Sequence, residues 1–491
     1  MIGVVKMETV EEIKKVPVSG SWDVIVAGAG VSGVFAAIAS ARKGASTLLV
    51  DRFGSPGGNI GPGLIAGGSL SGWPIPHMYR GPFFGIPREF IERHSELGGG
   101  SVPPYKKSHY LRDSNIATHV LFEMLEEDGV ELLLSTYACD PILEGKRVSG
   151  IFLENKSGRS AAMARVLVDA TGEVDILRRA GAPVIRPERA YNEIDQHAPT
   201  GMGIYFVLAG VSWSEYEEFR STCPPPGRED LSWAEEVLGR TPPPCLVSRA
   251  RRAWEDGEFR MVQEVEGLGH IGFHGTLKEV PGEEGLAGAM FNLKTRWIDA
   301  ETQARVDAGD GHQVSLLEAR LRMYIFELSR FWRKYVPGFE DSYLAYVAPF
   351  LGSRGGPCAE GDYVMTYEDL ESGRRFPDVL YVFDHVGEGL KSAYRGKWTD
   401  LPYRVLLPRG LEGVLCVGRN ASCRPDTLLR SRSMVMHMGE AGGHAAALSV
   451  ANNATPRELD VKLLQKSLLE AGYYLGSIER LVELGLSSPP R

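Results

Sequence analysis

The sequence predicts an α/β fold: a central parallel sheet carrying a β-meander, with a smaller α+β domain inserted into it. Three observations predict this. Between Asp23 and Asp51 an apolar strand, a glycine-rich turn, a small-residue helix and a second apolar strand follow in order. Two more short apolar strands, Arg165–Asp169 and Gly413–Val417, lie far along the chain and end in the glycine-containing turns Ala170-Thr171-Gly172 and Gly418-Arg419. Between them, from about residue 186 to 401, the pattern breaks into mixed strands, loops and helices, with prolines at 224–226 and 242–244.

The first unit is the most specific. Val24–Ala27 reads as a buried strand. Gly28, Gly30 and Gly33 follow as G-x-G-x-x-G, and a helix runs on to about Arg42. Thr47–Val50 is the second strand and ends on Asp51, eighteen residues after Gly33. This is a Rossmann-like mononucleotide-binding βαβ unit. Gly28 permits the tight turn, Gly30 lets a pyrophosphate approach the backbone, and Gly33 allows helix and strand to pack closely. The helix N-terminus offers free N–H groups and partial positive charge to phosphates. Asp51 is placed to accept hydrogen bonds from ribose hydroxyls. Gly267, Gly269 and Gly272 repeat the same spacing, but no apolar strand precedes them and no helix follows. That copy is expected to be a loop or hairpin.

The later elements follow from their punctuation. Gly57 and Gly58 open a glycine-rich loop that can pass a large flat ligand without side-chain clashes. Ile86 to Gly98 reads as a helix with proline near its start and glycine at its end. Asp113 caps a helix over 115–127, stopped by Gly129. Strands are expected at 131–137, 147–154 and 161–169, the last leading into Ala170-Thr171-Gly172. The longest helix is expected at 314–335, where Leu316, Leu317, Leu321, Tyr324, Ile325 and Leu328 sit at helical spacing and face the core. These readings divide the chain into a nucleotide-binding domain at 20–185 and 402–475, a substrate or cap domain mainly at 186–401, and terminal extensions at 1–19 and 476–491.

Composition narrows the classes. Apolar residues make up 43% and charged residues 24%, as in a globular enzyme rather than a disordered chain. The net charge of −9 and the scattered arginine pairs give no nucleic-acid footprint. The six cysteines form no C-x-x-C pair, which argues against a thioredoxin-type couple and against local zinc or iron–sulfur spacing. No H-E-x-x-H motif occurs, so no metal is expected. No run reads as a membrane span, and a reducing cytoplasm is the expected compartment. A small-molecule substrate is the expected partner, and a homo-oligomer stays open.

Several segments together carry a resemblance: DVIVAGAGVSG with LLVDRFGSPGG, VLVDATGEVDILRRAGAP, LGSRGGPCAEGDYVMT, and LPYRVLLPRGLEGVLCVGRNAS with MGEAGGHAAAL. From about Asp23 to Tyr474 the chain resembles the FAD-dependent oxidoreductase family of the glutathione-reductase-like flavoproteins. The resemblance implies FAD as cofactor. It implies that Gly28, Gly30, Ser32 and Gly33 hold the pyrophosphate and that Asp51 takes the adenosine ribose. Arg52, Gly57, Gly58 and Asn59 would lie along the diphosphate, ribityl chain and flavin edge. Ala170, Thr171 and Gly172 would pass close to the cofactor, and Gly418 and Arg419 would touch its diphosphate or ribityl region. A helix beginning near Ser433 and Met434 would aim its N-terminus at the flavin. One departure stands out. Where the family often shows Arg-Glu-Ser-Arg-Arg, this chain keeps Arg354 and lacks two arginines.

The catalytic candidates are His385, Tyr403 and Arg354. His385 follows the apolar run Val379–Val382 and could act as base. Tyr403 precedes the last sheet strand and could donate to a substrate oxygen. Arg354 could bind a carboxylate in bidentate fashion. The expected reaction is hydride transfer from a small organic substrate to flavin N5, with reoxidation by an unidentified electron acceptor. The alternatives are a flavin monooxygenase and an electron-transfer flavoprotein that docks on a redox partner.

Overall fold

The structure is a computed structural model and describes residues 12–63, 84–99, 113–186, 202–238, 243–258, 278–280, 288–295, 297–299, 304–305, 307–353, 355–384, 398–424 and 428–488. The first βαβ unit is β1 (Val18–Ala27), α1 (Gly33–Arg42) and β2 (Thr47–Val50). Two helices follow, α2 (Gly85–Glu96) and α3 (Ser114–Glu127). The Asp113 side chain accepts from the N–H groups of Asn115 and Ile116, as its position in sequence predicts. Strand β3 (Glu131–Leu133) then pairs parallel with β2.

The meander is β4 (Tyr137–Glu144), β5 (Arg147–Asn155) and β6 (Gly158–Asp169), all antiparallel to their neighbours in sequence. Here the structure corrects the expected single strand at 131–137. Ser135 adopts φ +51° and breaks the run, so β3 ends at Leu133 and Tyr137 opens β4. The break has a use. Ser135 N–H donates to Phe53 O at 3.0 Å and Thr136 N–H to Asp51 O at 2.9 Å, tying this corner to the loop after β2. A short helix, α4 (Asp175–Arg179), follows β6.

The inserted domain carries a second sheet built on β7 (Met202–Ala209), with β8 (Lys278–Val280), β9 (Gly288–Thr295) and β10 (Tyr343–Val347). Its long helix is α5 (Gly311–Tyr335), three residues longer at its start than the apolar spacing predicts. The Asp310 carboxylate caps it by accepting from His312 N–H and Gln313 N–H. Leu317, Leu321, Tyr324, Ile325 and Leu328 are buried in this domain's own core, but Leu316 is corrected: it is 48% exposed, because it falls one position, about 100°, off the stripe set by Leu317, Leu321, Tyr324 and Leu328.

The chain then returns to the first core earlier than residue 401. Strands β11 (Val379–Asp384) and β12 (Trp398–Pro402) form an antiparallel pair, and Val379 through Phe383 pack with the helical side of the main sheet. The second core takes its last side chain from Leu351, and those from Cys358 onward bury on the two faces of the main sheet. Strand β13 (Val414–Cys416) completes the main sheet by pairing parallel with the end of β6. The long helix α6 (Arg432–Ala451) and α7 (Val461–Glu470) close the fold.

Strand alternation explains the layers. Val24 and Val26 join one core, and Ile25 and Ala27 join the other. The parallel order β3-β2-β1-β6-β13 puts the ends of β1, β6 and β13 side by side. Helix α6 lies against α1 because a Cβ on Gly439 would fall 2.1 Å from Ser32 O, and one on Gly443 2.3 Å from Ala36 O. Only glycines allow that approach.

Candidate functional site

In an open parallel sheet a ligand sits beyond the carboxyl ends of the strands. The described residues form a cleft of 640 Å³ there, within the range of about 300–1,000 Å³ usual for small-molecule sites. The turns after β1, β6 and β13 all reach it.

The three fingerprint glycines do different work. Gly28 has φ +103°, and a Cβ there would lie 2.5 Å from Ala170 O. A Cβ on Gly33 would lie 1.8 Å from Gly28 O. Both are required by the packing of the turn. Gly30 is not: a Cβ there meets no heavy atom within 4 Å, and the residue lines the cleft. The space above Gly30 is therefore open cleft rather than packing space.

Of the expected cofactor residues, Gly28, Gly30, Ser32, Asp51, Arg52, Gly58, Asn59, Ala170, Thr171, Gly172, Arg419 and Met434 line the cleft. Gly33, Gly57, Gly418 and Ser433 do not; they shape the turns behind it. Gly57, at φ +101°, turns the chain into a short 3-10 helix over Gly58–Ile60. Ser433 is buried, with its hydroxyl 3.1 Å from that of Ser431.

The Asp51 carboxylate accepts from Ala29 N–H at 2.6 Å and Phe53 N–H at 2.7 Å. It thus braces the first turn. Burial raises its pKa above the ordinary carboxylate range, opposed by those two N–H bonds. A carboxylate has about four lone-pair sites, so capacity remains for ribose hydroxyls. Arg52 lies over the Phe53 ring at 4.8 Å, and Phe53 stacks on Phe350 of the inserted domain at 4.4 Å.

The second turn is fixed by Asp169. Its carboxylate accepts from Thr171 N–H, the Thr171 hydroxyl and Leu177 N–H, while burial pushes its pKa up to about 6. The third turn is locked to the second by Arg419, which pairs with Glu173 at 2.6 Å and donates to Gly172 O. Both side chains are largely buried. Beside them Asn420 is fully buried, and among the described residues neither its Oδ1 nor its Nδ2 has a hydrogen-bond partner. The far end is the N-terminus of α6, where Arg430, Ser431, Arg432, Met434 and Val435 line the cleft. Six arginines and four carboxylates line it in all, a balance suited to an anionic ligand.

These features were partly hidden in the sequence. Glu173 follows the Ala-Thr-Gly turn directly, yet its pairing with Arg419 spans distant segments. Asn420 follows Gly418-Arg419 directly, and only its burial makes it stand out.

A family profile described as FAD dependent oxidoreductase matches residues 23–468. The chain belongs to the FAD dependent oxidoreductase family. It is an FAD enzyme, and the residues present fit the cofactor: open cleft at Gly30, an orphaned buried amide at Asn420 and a cationic lining. No curated protein matches the chain. Solved structures similar to it include the myxobacterial chondrochloren halogenase, an FAD-dependent halogenase, at 14% identity and TM-score 0.42, covering 91% of this chain and 78% of that one. A geranylgeranyl bacteriochlorophyll reductase-like protein from Thermoplasma acidophilum is similar at 12% identity and TM-score 0.40, covering 95% and 96%. The likeness concerns the fold alone.

Of the three catalytic candidates in this FAD dependent oxidoreductase, His385 and Arg354 lie outside the described residues. Tyr403 is corrected. It is 1% exposed, its hydroxyl donates to Pro456 O at 2.7 Å, and it sits in the core rather than at the cleft. The acceptor that draws it inward, Pro456 O, is distant in sequence, so its position before β13 did not reveal its direction. Burial pushes its hydroxyl far from any physiological titration.

Helix α6 also carries a buried polar cluster behind the cleft. His437 holds its Nδ1–H on Ser433 O at 2.6 Å and accepts Phe84 N–H on Nε2 at 3.2 Å; burial lowers its pKa to about 4. Glu440 accepts from Ile86 N–H and the Tyr473 hydroxyl, and burial pushes its carboxyl up to about 8. This cluster joins α6 to the start of α2 and to the C-terminal segment. Among the described residues, none of its members lines the cleft.

Proposed function

We propose that FAD occupies this cleft, with its phosphates at the Gly28–Gly33 turn, its adenosine ribose at Asp51 and its flavin toward the N-terminus of α6, and that the enzyme oxidises a small organic substrate by hydride transfer to flavin N5. The observation that carries this reading is the convergence of the turns at 28–33, 170–172 and 418–420 on one cleft. Bound FAD supplies a two-electron acceptor. The chain supplies everything else. Backbone N–H groups at the mouth of α1, together with Arg52 and Arg419, favour the cofactor's negative charge. Positive potential at the N-terminus of α6 favours negative charge on whatever ring it faces.

The substrate side is assigned to the wall contributed by the inserted domain. Met202, Tyr205, Val314, Phe350 and Leu351 line it and exclude water. Glu318 on this wall is held by Arg322 and by Leu351 N–H at 2.8 Å, which fixes the loop that carries Phe350. All six cysteines are thiols, in keeping with a reducing compartment such as the cytoplasm.

The test is spectroscopic. Purified protein is expected to show flavin absorbance, and anaerobic addition of one of a panel of sugars, amines, hydroxy acids and carboxylates is expected to bleach it. Oxygen consumption matched by oxygen insertion would replace this reading with a monooxygenase. Bleaching that requires a second protein would replace it with electron transfer.

A further inference from the structure

We propose that the Asn420 side-chain amide is a cofactor-contacting group that pairs with the ribityl–flavin half of FAD; this rests on the FAD reading above. Asn420 lies in the turn after β13, closed by Ala421 N–H donating to Gly418 O at 3.0 Å. Its main chain is pinned. Its carbonyl accepts from Ala359 N–H at 2.9 Å and from the Cys416 thiol at 3.2 Å. Its side chain is fully buried, and among the described residues both amide atoms lack a partner. Exchanging Oδ1 and Nδ2 does not help, because neither position has one.

An amide buried in this way costs about 1–3 kcal/mol for each group left unpaired, so the fold alone gives no reason to keep it. The location supplies one. A Cβ built on Gly418, whose φ is +100°, would lie 2.4 Å from the Ser32 hydroxyl oxygen and 3.4 Å from Asn420 Oδ1. Asn420 therefore sits where the third turn abuts the first, and it belongs to the cleft lining. A buried asparagine presents both donors and an acceptor. A diphosphate at neutral pH can only accept. The partner that satisfies both halves of the amide must itself donate and accept, as ribityl hydroxyls or the flavin's uracil edge do.

The test compares FAD with ADP, which carries the adenosine and diphosphate but neither ribityl chain nor flavin. Deflavinated full-length wild type and Asn420→Leu, which keeps the number of side-chain heavy atoms, are titrated with each ligand, and the melting temperature of each apoprotein is recorded. Loss of two hydrogen bonds should weaken FAD binding by about 10- to 100-fold while ADP binding stays within about twofold. The apoprotein should melt no lower than wild type, because two unpaired polar groups have been removed. Asn420→Ala serves if the leucine variant does not fold. A folded variant with FAD affinity within about threefold of wild type overturns the proposal. Equal weakening of FAD and ADP also overturns it, by moving the contact to the diphosphate. Wild type that retains no FAD fails differently, and removes the FAD reading itself.

Discussion

Replacing Gly30 separates ligand space from packing space. In Gly30→Val the new Cβ meets no heavy atom of the described residues within 4 Å, and the backbone there is outside the left-handed region. The apoprotein should accept it. Loss of glycine's freedom in the unfolded chain should even stabilise the fold by up to about 1 kcal/mol. The same atoms would stand where the phosphates lie. Overpacking of this kind costs about 1–3 kcal/mol for small additions, or about 5- to 150-fold in affinity; the branched valine should exceed that and abolish retention. Gly33→Ala is the contrast, because its Cβ would lie 1.8 Å from a backbone oxygen and should destabilise the apoprotein itself. The assays are flavin per polypeptide from absorbance, FAD affinity by fluorescence titration, and apoprotein melting. A Gly30→Val protein with a full complement of tightly bound FAD would refute the placement of the phosphates. So would apoprotein destabilised as severely as Gly33→Ala.

Three further outcomes are expected. Glu440, with its folded pKa near 8 against an ordinary 4.5, contributes stability that is complete below pH 4.5 and lost as pH rises through 8. His437, lowered to about 4, and His444, lowered to about 3, act in the opposite sense below pH 6.5. Stability should therefore fall mainly between pH 6.5 and 8, and Glu440→Gln should flatten that fall in melting curves; an unchanged profile would refute the assignment. Glu173→Gln leaves the Arg419 charge buried without its partner and should cost about 3–5 kcal/mol in denaturant unfolding, much of it recovered in the double variant with Arg419→Met. Tyr403→Phe should lose about 1–3 kcal/mol because Pro456 O loses its donor, while FAD content and the rate of flavin bleaching stay unchanged; a large rate loss would return Tyr403 to the site.

How much of this was legible in the sequence depended on how local the cause was. The βαβ unit could be read because Gly28, Gly33 and the alternation of Val24–Ala27 act on neighbours within a few residues. The Asp113 cap could be read for the same reason. The break at Ser135 could not. A serine at φ +51° is held by its own N–H on Phe53 O and by the next residue's, Thr136 N–H on Asp51 O, acceptors more than eighty positions earlier. The packing of β11 with the first core was hidden for a related reason. Val379–Val382 is an apolar run of the kind either core could bury, and only its packing against the helices of the first domain decides. Tyr403 shows the limit for chemistry. A tyrosine near a sheet end can face the cleft or the core, and the acceptor that draws it inward, Pro456 O, is fifty-three residues away.

The site divides in the same way. Its cofactor wall is built from backbone and short turns, so its chemistry is written in glycines whose spacing survives in the sequence. Its other wall is built from side chains of β7, α5 and the loop bearing Phe350, which meet only because the inserted domain folds as a unit. The two walls touch where Phe53 stacks on Phe350, where Arg178 donates to Gly309 O at 3.1 Å and where Ser353 hydrogen-bonds to Glu173. The last of these lies directly beside the glycine turn at 170–172. The cofactor could be read from the sequence because its turns are set by local glycine spacing, whereas the other wall is assembled from distant segments, so the substrate must be found by experiment.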